Sequence, residues 1–190
     1  MTAYLALLRG VNVGAANRIR MEDLRRIFER LGFSRVETFI QSGNVLFESE
    51  QPEAEVVRSV ETALLSDAEI RTNAIVRSAK ELAQTVSLLP FAPPQPEPAT
   101  TGRPEGETLF VCFAAQPPGP ERFGKLLTPS AEGDEYRVIG RDAYLLLCQS
   151  IRVSRLAAQL QRALAPVTVR NWQVVCRLSG LLSARQTPKN

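Results

Sequence analysis

Three stretches of this chain carry side chains able to recognise a ligand. They are Arg9-Gly10-Val11-Asn12-Val13-Gly14, Gln41-Ser42-Gly43-Asn44 and Arg170-Asn171-Trp172. Arginine grips carboxylate or phosphate through two parallel N–H bonds. Glycines beside it let backbone amides approach an anion. Asn12, Gln41, Ser42 and Asn44 offer polar groups to orient such a ligand, and Trp172 a ring to wall it. Each stretch also has a plainer reading. The first can be an ordinary loop. The second can be a tight hairpin turn, since Gly and Asn tolerate positive φ. In the third, Asn171 can cap a helix, Trp172 can lie in the core and Arg170 can pair with an internal carboxylate. An arginine beside a helix N-terminus costs about 0.3–1 kcal/mol unless an anion or carboxylate meets it.

The glycine spacing matches neither a dinucleotide-binding fingerprint nor a P-loop. The chain holds no histidine, which excludes Ser-His and Cys-His nucleophiles and any His-containing metal site. Cys112, Cys148 and Cys176 lie far apart without metal-ligand spacing, as befits small buried hydrophobes in a reducing compartment. No pair of carboxylates suggests a general acid and base, so neither a metal nor a cofactor is expected.

Charge is uneven. No Asp or Glu follows Asp142, whereas Arg152, Arg155, Arg162, Arg170, Arg177, Arg185 and Lys189 do; the first twenty residues also lack acids and carry Arg9, Arg18 and Arg20. Both ends of the chain are locally cationic, an arrangement that attracts anions or is balanced by acids nearby in space. Apolar runs reach only strand length, short of the roughly 20 residues that span a bilayer. A cytoplasmic location and no membrane partner are expected.

Positioning these residues requires an α+β fold. Thr2 to Leu8 reads as a buried strand, and Leu24, Ile27, Phe28 and Leu31 mark a helix from about Met21 to Leu31, with Gly32 past its end. Val36 to Ile40 and Val45 to Phe47 flank Ser42-Gly43-Asn44 as a hairpin. Val56, Val57, Val60, Ala63 and Leu64 make a second helix, and Thr72 to Val76 a fourth strand. The order β-α-β-β-α-β is ferredoxin-like. A helix from Ala79 to Leu89 leads to a connector stiffened by Pro90, Pro93, Pro94, Pro96, Pro98 and Pro104.

The order then recurs: a strand at Thr108 to Ala114, a short helix around Arg122 to Leu127, a hairpin of Tyr136 to Ile139 and Ala143 to Cys148, a helix through Leu156, Leu160 and Leu164, and a short strand at 166–169. A last helix from about Asn171 to Leu182 is expected to bury Trp172, Val175 and Cys176. The expected organisation is therefore two tandem ferredoxin-like units packed on each other, at 1–89 and 107–190, joined by a connector at 90–106. Apolar residues on both faces of the first strands imply covered sheets, against an open RNA-binding sheet surface.

Leu7-Leu8-Arg9-Gly10-Val11-Asn12-Val13-Gly14 with Met21, Leu24 and Gly32, then Phe39-Ile40-Gln41-Ser42-Gly43-Asn44-Val45-Leu46-Phe47, and finally Val167-Thr168-Val169-Arg170-Asn171-Trp172 resemble motifs of the domain-of-unknown-function family numbered 1697. Val169 stands where that family has threonine, and Ala15-Ala16 where it has glycine and a polar residue. The resemblance implies a bacterial α/β protein with ferredoxin-like units, and one shared site for the three polar stretches. It implies no activity. The reading that follows is a binding site for a small phosphate- or carboxylate-bearing ligand formed by Arg9, Asn12, Gln41, Ser42, Asn44, Arg170, Asn171 and Trp172. The alternatives are nucleic-acid binding through the basic C-terminal region, an enzyme using the same pocket, and a partner-binding module.

Overall fold

A computed structural model describes residues 1–14, 17–91, 109–119 and 133–185. The expected helix around Arg122–Leu127, Ala15-Ala16 and most of the proline-rich connector lie outside the described residues. Two four-stranded antiparallel sheets and five helices are present among the described residues, in an α+β arrangement. None of these helices is long and apolar enough to cross a membrane.

The first sheet comprises β1 (Thr2–Leu8), β2 (Ser34–Phe39), β3 (Asn44–Ser49) and β4 (Ala74–Ser78), in the order β2-β3-β1-β4. Helices α1 (Met21–Arg30) and α2 (Glu53–Ala68) connect its strands. Helix α1 forms because Leu24, Ile27 and Phe28 make one buried stripe, while Arg26 bonds Glu22 at 2.5 Å on the wet side. Helix α2 buries Val56, Val60 and Leu64 at four-residue steps. Both stripes meet Tyr4, Ala6, Leu8, Val45, Phe47 and Val76 from one sheet face in a single core. Phe33 stacks on Phe47 there at 4.7 Å between ring centres. Leu5, Leu7, Leu46 and Ile75, on the opposite face, are equally buried. This sheet is covered on both sides.

The second sheet comprises β5 (Leu109–Ala114), β6 (Glu135–Ile139), β7 (Asp142–Leu146) and β8 (Val167–Asn171), in the order β6-β7-β5-β8. Helix α4 (Arg155–Ala163) buries Leu156, Ala157 and Leu160 against Phe110, Cys112, Ala143 and Leu145. Ser154 caps it by accepting from the Ala157 amide at 3.1 Å. The remaining helices, α3 (Ala79–Ser87) and α5 (Trp172–Ser183), each follow directly from the last strand of a sheet.

Contacts divide the chain into two compact units, Met1–Gln84 with the stretch from Leu178, and Thr85–Arg177. The boundary differs from the expected 1–89 and 107–190. The Thr85 hydroxyl donates to Asp142 at 2.6 Å, and the Thr85 carbonyl accepts from the Tyr144 hydroxyl at 2.7 Å, so the end of α3 goes with the second unit. Conversely, Arg185 donates to the Arg35 carbonyl and to Glu37, holding the chain beyond α5 to the first unit. Helix α5 also starts one residue later than expected, at Trp172. Its buried stripe is Val175, Leu178 and Leu182, with Trp172 and Cys176 only half-buried.

Candidate functional site

In the first unit three chain crossings converge at one end of the sheet. The Leu8 amide donates to the Gly43 carbonyl at 2.9 Å, and the Arg9 amide to the Asn73 carbonyl at 3.0 Å. The Thr72 hydroxyl returns a bond of 2.7 Å to the Arg9 carbonyl. Arg9, the β2–β3 hairpin and Arg71-Thr72-Asn73 are therefore fixed beside one another by backbone bonds. The side chains of Arg9 and Arg71 are exposed, and neither has an ion pair or hydrogen bond among the described residues.

Asn12 does not point a free amide into this end. With φ at 57°, it accepts from the Ile19 amide at 2.9 Å and donates to the Ile19 carbonyl at 3.0 Å. Both ends of its side chain clasp the loop that runs from β1 to α1. Arg18 is similarly turned onto the loop, donating to the Gly14 carbonyl at 3.2 Å.

In the hairpin, Asn44 is fully buried as the first residue of β3, opposite Leu7. Its amide donates to the Phe39 carbonyl at 3.1 Å and to the Ser42 hydroxyl at 2.8 Å. Asn44 and Ser42 thus hold the turn closed, while Gln41 is exposed at its tip. Ile40, beside it, is 50% exposed with φ at 49°, a backbone region that β-branched residues rarely occupy.

The other three residues lie in the second unit. Strand β8 was expected to end at 169 but continues to Asn171, because pairing with β5 extends to Val111–Arg170 and Phe110–Asn171. Alternation then puts Arg170 on the same face as Thr168, away from the core beneath α4. Its Nη1 donates to the Thr168 hydroxyl and the Val169 carbonyl, each at 2.8 Å. Burial pulls the guanidinium pKa down to about 10, so it remains charged at neutral pH. Asn171 caps α5 by accepting from the Val174 amide at 2.9 Å.

The first sheet repeats this arrangement without the same residues. Arg77 pairs with Leu5 and donates to the Val76 carbonyl at 2.9 Å, and Ser78 accepts from the Glu81 amide at 3.3 Å to cap α3. An inward-turned arginine, fully buried at Arg77 and partly buried at Arg170, followed by a capping residue is how each sheet's last strand runs into its helix.

The family described as a protein of unknown function, numbered 1697, matches residues 1–144. The chain belongs to this family. The first two polar stretches lie inside the matched residues and Arg170-Asn171-Trp172 lies outside them. A solved structure, that of the conserved bacterial protein SP0830 from Streptococcus pneumoniae, resembles this family 1697 chain with a TM-score of 0.74 at 21% identity, over 96% of this chain and 99% of that one. At that identity the likeness concerns the fold. No curated protein matches.

Arg71 was not singled out in the sequence, where it only precedes the strand expected at Thr72 to Val76, which the structure places at Ala74–Ser78. Only its neighbour's bond to the Arg9 carbonyl reveals its place. Among the described residues no group of three or more Cys, Asp or Glu could hold a metal. Burial, aided by Asp142, pushes the Cys112 thiol up to about 12, which leaves it unreactive at neutral pH. What the first unit's loop end can do chemically is bind charge. Two guanidinium groups and a glycine-rich loop face water there without a carboxylate partner among the described residues.

Proposed function

We propose that this member of family 1697 binds a small anion bearing phosphate or carboxylate groups at the loop end of its first unit. Arg9 and Arg71 supply the charge, and Gln41 at the hairpin tip supplies an orienting amide. The observation that carries the reading is the pair Arg9 and Arg71, held side by side by the bonds around the Arg9 backbone and both exposed without a partner among the described residues. In the same unit Arg20 and Arg30, also exposed, meet the carboxylates of Asp23 and Asp67. Asn12, Ser42 and Asn44 act behind this pair by holding the loop and the hairpin in shape. Arg170, Asn171 and Trp172 belong to the strand-to-helix junction of the second unit, and the reading does not depend on them.

The same reading treats the protein as two tandem ferredoxin-like units. The common strand order supports this, as do matching bonds at the strand ends. Ala114 donates to the Arg141 carbonyl and Ala115 to the Pro166 carbonyl, in the places of Leu8 to Gly43 and Arg9 to Asn73.

The test is thermal unfolding with inorganic phosphate, pyrophosphate and citrate, each against chloride at matched ionic strength. A ligand at 100 times its Kd stabilises by about 2.7 kcal/mol, a rise of roughly 5–10 °C in Tm for a chain of this length. The rise should be lost in Arg9→Ala and in Arg71→Ala. An equal rise in both variants would end the proposal.

A further inference from the structure

The described residues of the second unit contain seven arginines and three carboxylates. All three carboxylates are engaged. Asp134 accepts from the Cys148 amide, from Gln149 and from Ser154, at 2.8, 2.9 and 2.7 Å. Asp142 is buried and accepts from Thr85. Glu135 pairs with Arg137 at 3.2 Å. None of them meets Arg152, Arg155 or Arg162, which are exposed and have no ion pair among the described residues.

Two of these arginines lie on one face of α4, and the third is in the turn just before it. With Leu156, Ala157, Leu160 and Ala163 buried, helix α4 turns Arg155, Ala158 and Arg162 outward at i, i+3 and i+7. Arg152 precedes the helix by one turn of chain. The small Ala158 leaves the space between the two helical arginines open. At 1.5 Å per residue, Arg155 and Arg162 stand about 10 Å apart along the axis.

The first unit treats its helices differently. On α1, Arg25 and Arg26 are paired with Glu29 and Glu22. Helix α2, which like α4 joins the third and fourth strands of its sheet, carries Glu53, Glu55, Glu61 and Asp67 against Arg58. Helix α4 thus differs from α1 and α2 in carrying no acid. Arg155 stands in the first turn of α4, where the helix dipole opposes a cation.

We propose that the outer face of α4, with Arg152, docks on the phosphate backbone of duplex nucleic acid. The cations are spread along a line rather than gathered in a pocket, which suits a linear polyanion better than a small anion. About 10 Å corresponds to three phosphate steps along one strand. The face carries no aromatic residue, so the base stacking that holds single strands is lacking. Its only large apolar side chain is Val153, too little to anchor a helix in a membrane surface. The contact is with the backbone and is therefore indifferent to sequence.

The experiment is fluorescence anisotropy of the full chain with a labelled 20-base-pair duplex between 50 and 200 mM salt. Three phosphate contacts give a slope of log K against log salt of about −2.7, a weakening of roughly 40-fold over that range. The double variant Arg155→Ala, Arg162→Ala should lower affinity at 50 mM salt at least tenfold and reduce the slope to about −0.9. Both side chains are exposed, and circular dichroism checks that the variant folds. Arg25→Ala with Arg26→Ala on α1 should leave binding unchanged. The proposal is overturned by no binding at 50 mM salt, by equal binding in the double variant, or by anionic lipid vesicles that compete for the face at equal affinity.

Discussion

Gly43 offers a quantitative check on how the loop end of the first unit is built. Its φ is +70°, and a Cβ added there would lie 3.0 Å from Leu8 Cβ, 3.2 Å from Val11 Cβ and 3.4 Å from the Leu8 carbonyl oxygen. Neither Cβ atom can rotate away, so relief requires the backbone to move. That movement is resisted by the 2.9 Å bond from the Leu8 amide to the Gly43 carbonyl. For Gly43→Ala, left-handed backbone costs about 1–2 kcal/mol, and an overpacked methyl about 1–3 kcal/mol more. The stiffer unfolded chain returns about 0.4–1 kcal/mol. The net loss should be about 1–4.6 kcal/mol, centred near 3. Gly140, in the hairpin of the second sheet, isolates the backbone part, since its φ is +62° and nothing lies within 4 Å of an added Cβ. Gly140→Ala should cost about 0–1.6 kcal/mol, smaller than Gly43→Ala by the overpacking of about 1–3 kcal/mol. Urea unfolding followed by far-ultraviolet circular dichroism measures both, with the midpoint shifting and the slope m unchanged. Equal losses in the two variants would refute the idea that close approach of the hairpin to Leu8 and Val11 sets its position.

Two further outcomes concern the second unit. Asp134→Ala leaves the Cys148 amide, Gln149 and Ser154 without their shared acceptor, and should cost about 2–4 kcal/mol in the same urea experiment. Burial pushes the Asp134 carboxyl up, but the bonds from Gln149, Ser154 and the Cys148 amide outweigh it and hold the pKa below the ordinary 3.8. A lowered carboxyl pKa contributes stability above 3.8 that disappears as pH falls through the folded value. The gap between wild type and Asp134→Ala should therefore narrow below about pH 3.8, and a gap unchanged down to pH 2 would count against the network. For the thiols, Cys112 is fully buried whereas Cys148 and Cys176 are half-buried. A chromogenic disulfide reagent should leave Cys112 unmodified in native protein at pH 8 and titrate it only in denaturant; rapid native labelling of Cys112 would contradict the packing of β5.

Much of the fold was legible from residues alone, for a local reason. Helical stripes such as Leu24-Ile27-Phe28 and Val56-Val60-Leu64 depend on the turn of a single helix, and the short apolar run Thr2–Leu8, buried on both faces, reads as a strand from its own residues. Both hairpins were visible because Ser42-Gly43 and Gly140-Arg141 interrupt alternating apolar runs. The cationic bias of both chain ends was equally plain, being a matter of composition.

The roles of individual polar residues were decided by partners distant in sequence. Asn44 became a buried strand residue because β1 pairs with it through Leu7, and Arg170 joined the strand rather than the opening of the last helix because β5 extends its pairing to Asn171. Arg71 joined Arg9 through a bond spanning 63 residues, between the Thr72 hydroxyl and the Arg9 carbonyl. The sequence alone determined which elements form and where positive charge accumulates, since both follow from near neighbours and from composition. Tertiary structure alone decided which arginines face water and which are turned inward, because that depends on register across strands and on where each carboxylate finds its donors.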